Sequence, residues 1–185
     1  MNFLDLQRKS PTQKMVFAAI MACIAFLLNY LEIPFIVPHL RFDLSEAIVV
    51  ITVIILGLQY GLMVSFIKAL LFFLFGANGS EIIGVSVLLF SSCFIAIVFY
   101  LLYTKAKLNI YISLVLLGII FSVTLTAVNY FITIPLYSGV PFETLSANEG
   151  YLWSVVSLYF PFNIIKMILI GSVTIILNKF LLKSK

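Results

Sequence analysis

Asn163 and Lys166 put an amide and an ammonium three residues apart in the otherwise apolar stretch YFPFNIIKMILIG, Tyr159 to Gly171. On a helix, positions i and i+3 share one face, about 4.5 Å apart along the axis. The two would therefore present an amide and a positive charge to the same cavity. An ammonium at membrane depth costs about 2.5–3.5 kcal/mol to insert, and such a group is by default a functional candidate. Two blander readings stand beside this one. A spanning Asn often hydrogen-bonds a neighbouring helix, and Lys166 would snorkel to an interface if its helix began at Pro161.

Four further polar positions matter. Asn129, in TAVNYFITIP, falls toward the outer half of its own apolar run, as Asn163 does. Two amides and an ammonium at similar depth suit a polar ligand carrying carbonyl and hydroxyl groups. Lys68 is the other cation inside an apolar run, and a structural or partner-contact role suits it better. Asp43 and Glu46 form a D-x-x-E pattern ahead of an apolar run, the signature of a helix start with a capping box. The preceding PHLRF then reads as a stiff strap over the outer face, and YSGVPFETLSANEGYLW as a second outer loop able to serve as a lid.

Other chemistry is missing. The sequence holds no GxxxxGK[ST], HExxH or GxSxG motif, and its one histidine, His39, stands beside Pro38 in a loop. The acidic residues read as confined to external loops rather than buried as a pair. Cys23 and Cys93 both lie in apolar runs and read as buried thiols. No ATP hydrolysis by this chain alone, no resident cofactor or metal and no nucleic-acid partner is expected.

These residues are carried by a chain of 185 residues that is 63% apolar and only 10% charged, with a mean hydropathy of +1.21. Soluble domains carry about 25% charged residues, so this is a polytopic membrane protein in a lipid bilayer. Six apolar runs of spanning length fit near 14–31, 44–59, 61–76, 82–104, 109–137 and 151–180. They make an all-α, six-helix membrane protein, read as a single domain over 1–185 with external loops at 32–43 and 138–150. Pro135 and Pro161 are places for the last two runs to bend or begin. With six spans, Arg8, Lys9, Lys14, Lys105, Lys107, Lys179, Lys183 and Lys185 share one side. The positive-inside rule makes that side, and both termini, cytoplasmic. A lipoprotein-like IMAC ends at Cys23, but more span follows it, so the segment reads as a retained first helix. Asn78-Gly79-Ser80 reads as an external turn. Ala18, Ala22 and Ala25 form a small-residue face on span one, suited to close packing within the chain or to a partner protein.

Together the residues resemble the substrate-binding S components of energy-coupling-factor (ECF) vitamin transporters, and within them the riboflavin-binding subunits. LRFDLSEAI (Leu40 to Ile48) resembles the loop-one motif of that family, NYFITIPLY (Asn129 to Tyr137) its span-five motif, and FPFNIIKMILIG its span-six motif. The resemblance implies that Asn129, Asn163 and Lys166 contact riboflavin and that Leu40, Arg41, Phe42 and Asp43 help cover it. It implies that Ala18 and Ala22, with Ala25 on the same face, dock on a transmembrane coupling subunit that pairs with two ATPase subunits. Vitamin would be captured outside and released inward as the S component reorients. Glu46 stands where the family usually has Asp, Ile48 where it has Pro, and Ser65 where members carry Glu. Another vitamin (a pterin, thiamine or pantothenate) is the alternative ligand. A small membrane enzyme, with Lys166 holding the phosphate of a lipid or isoprenoid substrate, is the alternative class.

Overall fold

The computed structural model describes residues 10–30, 33–34, 40–75 and 82–182; His39, Glu32, Glu81 and Asn78-Gly79-Ser80 lie outside these. Helix α1 covers Pro11–Tyr30, and a minimal strand pair joins β1 (Ile33–Pro34) to β2 (Arg41–Phe42) antiparallel, with Ile33 opposite Phe42. Helices α2 (Ser45–Leu56), α3 (Leu58–Phe75) and α4 (Ile82–Tyr100) follow, the last running into a π turn over Leu101–Lys105. Then come α5 (Ile110–Val128), a π turn over Asn129–Thr133, short α6 (Ile134–Ser138) and α7 (Phe142–Ser146), and the long α8 (Tyr151–Leu182).

Local chemistry sets several of these boundaries. At the start of α1, the Gln13 N–H donates to Ser10 Oγ at 3.4 Å and the Ser10 N–H donates to Gln13 Oε1 at 3.3 Å. With Pro11 at the first helical position this is a capping box, and it opens the helix ahead of residue 14. Asn109 caps α5 by accepting from the Tyr111 N–H at 3.1 Å. The chain runs as one helix through Cys23, whose thiol is exposed rather than buried as expected, and Cys93 is only half-buried. The chain also runs through Pro161, which sits inside α8 rather than at its start.

Helix α2 departs from its expected length. Among the described residues, five helical segments are long and apolar enough to cross a membrane, and α2, with 12 residues, is the short exception. At 1.5 Å per residue it is about 18 Å long, against a hydrocarbon core of about 30 Å. It is apolar on nearly all sides, and ten of its residues are buried, the pattern of a helix enclosed by protein. It packs against α1, α3, α4 and α8, while α5 and α8 form a second close pair.

Gly57 alone separates α2 from α3. Its φ of +93° is the region that glycine tolerates and L side chains avoid. The two helices fold back on each other so tightly that a Cβ on Gly61 would stand 2.3 Å from Val53 Cγ2. At this end a cavity of about 310 Å³ is lined by Lys14, Val53, Gly57, Tyr100 and Thr104 among others. The start of α1, the end of α2 and the end of α4 therefore lie together.

From that end, α2 rises only about halfway along its longer neighbours. Glu46, in its first turn, meets Lys68, ten residues or about 15 Å along α3, and Ser92, midway along α4. Lys68 Nζ lies 2.9 Å from Glu46 Oε1, Ser92 Oγ donates to the same oxygen at 2.7 Å, and both charged side chains have zero exposure. Lys68 is thus a structural cation, as its sequence setting suggested. Only half of the expected capping box at Asp43-x-x-Glu46 forms: Asp43 Oδ1 accepts from the Ser45 N–H, while Glu46 pairs with Lys68 instead of reaching back, because an unpaired Lys68 would be far costlier than one lost cap hydrogen bond. The acids are likewise not confined to outer loops: Asp43 and Glu46 are both buried, near one another.

The face of Ala18, Ala22 and Ala25 also needs correcting as a docking surface. All three have zero exposure and belong to the central core with Ala47, Val49 and Val64. Small side chains let α2 and α3 approach α1 closely, and that approach fills the face. The side of α1 turned outward carries Met15, Val16, Ile20, Ile24 and Leu27.

Two stability measurements follow. Gly61→Ala should lower the thermal midpoint in detergent, since overpacking against stiff Val53 costs about 1–3 kcal/mol, more than the helix-propensity gain of up to about 1 kcal/mol. Lys68→Met should destabilise by about 3–5 kcal/mol by stranding Glu46, while Lys68→Met with Glu46→Leu recovers most of that loss. Equal midpoints for Lys68→Met and the double variant would refute the account.

Candidate functional site

Because α2 stops halfway, the chain before it descends into the bundle. Leu40 to Asp43 reach the flank of α8: Leu40 is buried with Tyr151, Val155, Tyr159 and Phe162, and the Phe42 ring lies 4.6 Å from that of Phe162. Non-helical backbone at such depth is tolerated where protein encloses it. Arg41 pairs its backbone with Pro34 in the strand register; its side chain is outside the described residues.

At the foot of this descent Asp43 meets Lys166. Lys166 Nζ lies 2.8 Å from Asp43 Oδ2, with side-chain exposures of 13% and 6%. Lys166 sits 15 residues into α8, about 22 Å from its start at Tyr151, too deep to snorkel to that end. Asp43 Oδ1 accepts from the Ser45 N–H at 3.1 Å and also from Ser45 Oγ. Asp43 is therefore an anion fixed between two helices.

Asn163 and Asn129 are both buried, at 5% and 7% exposure. Asn129 Nδ2 donates to Leu125 O at 2.8 Å, one turn back on its own helix. Among the described residues, Asn163 Nδ2 is buried without an acceptor. An unsatisfied buried amide donor costs about 1–3 kcal/mol, and Asn163 precedes Lys166 by one turn. The interhelical-glue reading therefore fits neither amide: one bonds its own helix and the other lacks a protein acceptor at Nδ2.

The π turn at Asn129–Thr133 follows from Pro135. In π register each N–H serves the carbonyl five residues back, and the Ile134 N–H duly reaches Asn129 O. The next carbonyl in that register is Tyr130 O, and Pro135 has no N–H to offer it. The Tyr151 hydroxyl donates instead, at 2.8 Å. The Tyr130 and Tyr151 rings stack 4.9 Å apart, and Phe142 of α7 meets Tyr130 edge-on at 5.3 Å. The α7 segment thus packs against the adjoining ends of α5 and α8, in the stretch expected to serve as a lid. The π turn also buries Asn129 and Thr133 together, a distortion frequent at functional sites.

Of the residues singled out from the sequence, the structure joins Asp43 to Lys166 and lays Leu40 and Phe42 on the same helix. Asn163 stands beside them on α8, and Asn129 is buried on α5 at its π turn. Sequence reasoning missed Ser45 and Tyr151. Ser45 gave no signal beyond standing between two acids; Tyr151 was legible only through the Tyr130–Pro135 spacing.

Residues 13–178 match the family described as "ECF transporter, substrate-specific component". A curated relative, the riboflavin transporter RibU of Staphylococcus aureus (strain TCH60), is 28% identical over 177 residues, which is 90% of this chain and 89% of the relative. A solved structure described as "Structure and mechanism of the S component of a bacterial ECF transporter" superposes with a TM-score of 0.74 at 25% identity, covering 93% of this chain and 96% of that one. The family match runs along nearly the whole sequence, and the helices are long and apolar enough to cross a membrane: this chain is an integral membrane protein that belongs to the substrate-specific (S) component family of ECF transporters.

Proposed function

We propose that this S component captures riboflavin from outside the cell and passes it inward for ATP-driven uptake by its partner subunits. The observation that carries the site assignment is the Asn163 amide, buried without a protein acceptor one turn from Lys166. A ligand carbonyl or ring nitrogen would satisfy it, Lys166 would take a second acceptor, and the aromatic groups of loop one and the Tyr130–Tyr151–Phe142 cluster would border a planar ring system. Asn129 contributes its amide oxygen, since its Nδ2 is held by Leu125 O. Leu40, Arg41, Phe42 and Asp43 form the cover. The likeness to the S. aureus riboflavin transporter, 28% identical, supports a flavin over other vitamins.

In this reading α2 and the descending loop together complete a sixth crossing, so both termini lie in the cytoplasm. The chain's alternating helix directions and basic ends support that orientation. The partners are an ECF transmembrane coupling subunit and two ATPase subunits, which supply the nucleotide chemistry. The vitamin is cargo, and no resident cofactor is required.

Protein purified from a flavin-containing host should be yellow and should quench riboflavin fluorescence on titration. Asn163→Ala and Lys166→Ala should each weaken affinity by roughly 10- to 100-fold, the span of one lost neutral to charge-assisted hydrogen bond, with membrane insertion intact. A colourless protein that leaves riboflavin fluorescence unchanged while binding another vitamin in a competition panel would replace flavin by that ligand.

A further inference from the structure

Two ion pairs, Lys166–Asp43 and Lys68–Glu46, are buried in this small bundle, and one side chain stands between them. Lys68 Nζ lies 3.0 Å from Ser45 Oγ, and Ser45 Oγ contacts Asp43 Oδ1. The chemistry of the groups fixes the direction of every bond. An ammonium has only donors, so Ser45 Oγ must accept from Lys68. An ionised carboxylate has only acceptors, so the single hydroxyl proton of Ser45 must go to Asp43. The sequence therefore reads Ser92 and Lys68 to Glu46, Lys68 to Ser45, Ser45 to Asp43, and Lys166 to Asp43 from the opposite side. It runs from α4 through α3 and α2 to α8 without a break.

Stability alone does not account for this arrangement. A buried ion pair is often no better than an apolar pair of the same volume, and Lys68–Glu46 is fully enclosed. What the relay does provide is a fixed orientation for the Asp43 carboxylate: Oδ1 is taken by Ser45, which leaves Oδ2 for Lys166. We propose that Ser45, held by the Lys68–Glu46 pair, is a positioning residue that aims Asp43 at Lys166 and thereby sets the ligand-binding posture of Lys166 and loop one. This deepens the riboflavin reading and rests on it for its affinity arm, but the geometry can be tested without any ligand.

The ligand-free arm measures Lys166 directly. The full-length protein in detergent is treated with a small amine-acylating reagent, and modification is read lysine by lysine by mass spectrometry. Ser45→Ala should raise the rate at Lys166 by roughly 5-fold, the ratio that one lost hydrogen bond commands, toward the rate of Asp43→Asn. Lys105 and Lys107, remote from the relay, should be unchanged. Ser45→Cys, of similar volume but a poor donor and acceptor, should act the same way, and it serves if the alanine variant does not fold. An unchanged Lys166 rate in a folded variant overturns the proposal.

In the affinity arm, Ser45→Ala should weaken riboflavin binding roughly 10-fold in the wild type and in Asn163→Ala, but less than about 2-fold in Lys166→Ala, because coupled residues are not additive. A merely structural role predicts the same loss in all three backgrounds, and that result overturns the proposal as well. If the wild-type protein does not bind riboflavin, the flavin reading falls, and the labelling arm decides on the relay by itself.

Discussion

A charge removed from water must find its opposite, and this requirement organises the bundle. Lys68 and Lys166 sit mid-helix in a chain made otherwise of apolar runs, where an unpaired ammonium would be unaffordable. Glu46 and Asp43 answer them, and both acids stand at one place, the start of α2. For that to happen, the start of α2 must lie halfway along the long helices. The short length of α2, the descent of loop one and the meeting of α8 with that loop all follow from the same pairing.

The half-length helix divides the bundle into two regimes. Around the body of α2, apolar side chains and the small faces of Ala18, Ala22, Ala25 and Ala47 close-pack into a continuous core. Beyond its first residues the enclosing helices continue, and the space is taken by loop one and by a second cluster built on Leu40, Tyr151, Val155, Tyr159 and Phe162. The orphan amide of Asn163 and the partly accessible Lys166 belong to this second region. The proposed site thus occupies the length that α2 does not.

The helices and their order were legible because apolar runs of spanning length are a long-range signal that few alternatives mimic. Local signals fared unevenly, for a physical reason. Asp43-x-x-Glu46 matches a capping box, yet Glu46 turns into the bundle because Lys68, distant in sequence, offers a charge to pair with. Ser10-Pro11-Thr12-Gln13 is a capping box that does form, at a helix end where nothing competes for the side chains. The alanine face reads the same to either a neighbouring helix or a partner protein, and only the fold shows which fills it. Pairings across 22 or 123 positions, Glu46 with Lys68 and Asp43 with Lys166, leave no mark on local spacing.

The two lysines show how similar pairings come to differ in role. Each meets one carboxylate at nearly the same distance, 2.9 Å for Lys68 and 2.8 Å for Lys166. Composition and insertion cost do not separate them; access does. Lys68 is sealed at zero exposure and donates a further hydrogen bond to Ser45. Lys166 retains 13% exposure, and its partner belongs to a loop rather than to a helix body. A sealed pair between helices holds its geometry, whereas the geometry of a pair between a helix and a loop depends on where the loop lies. The inner pair therefore supplies the fixed reference against which the outer one can respond, and a single serine hydroxyl joins them.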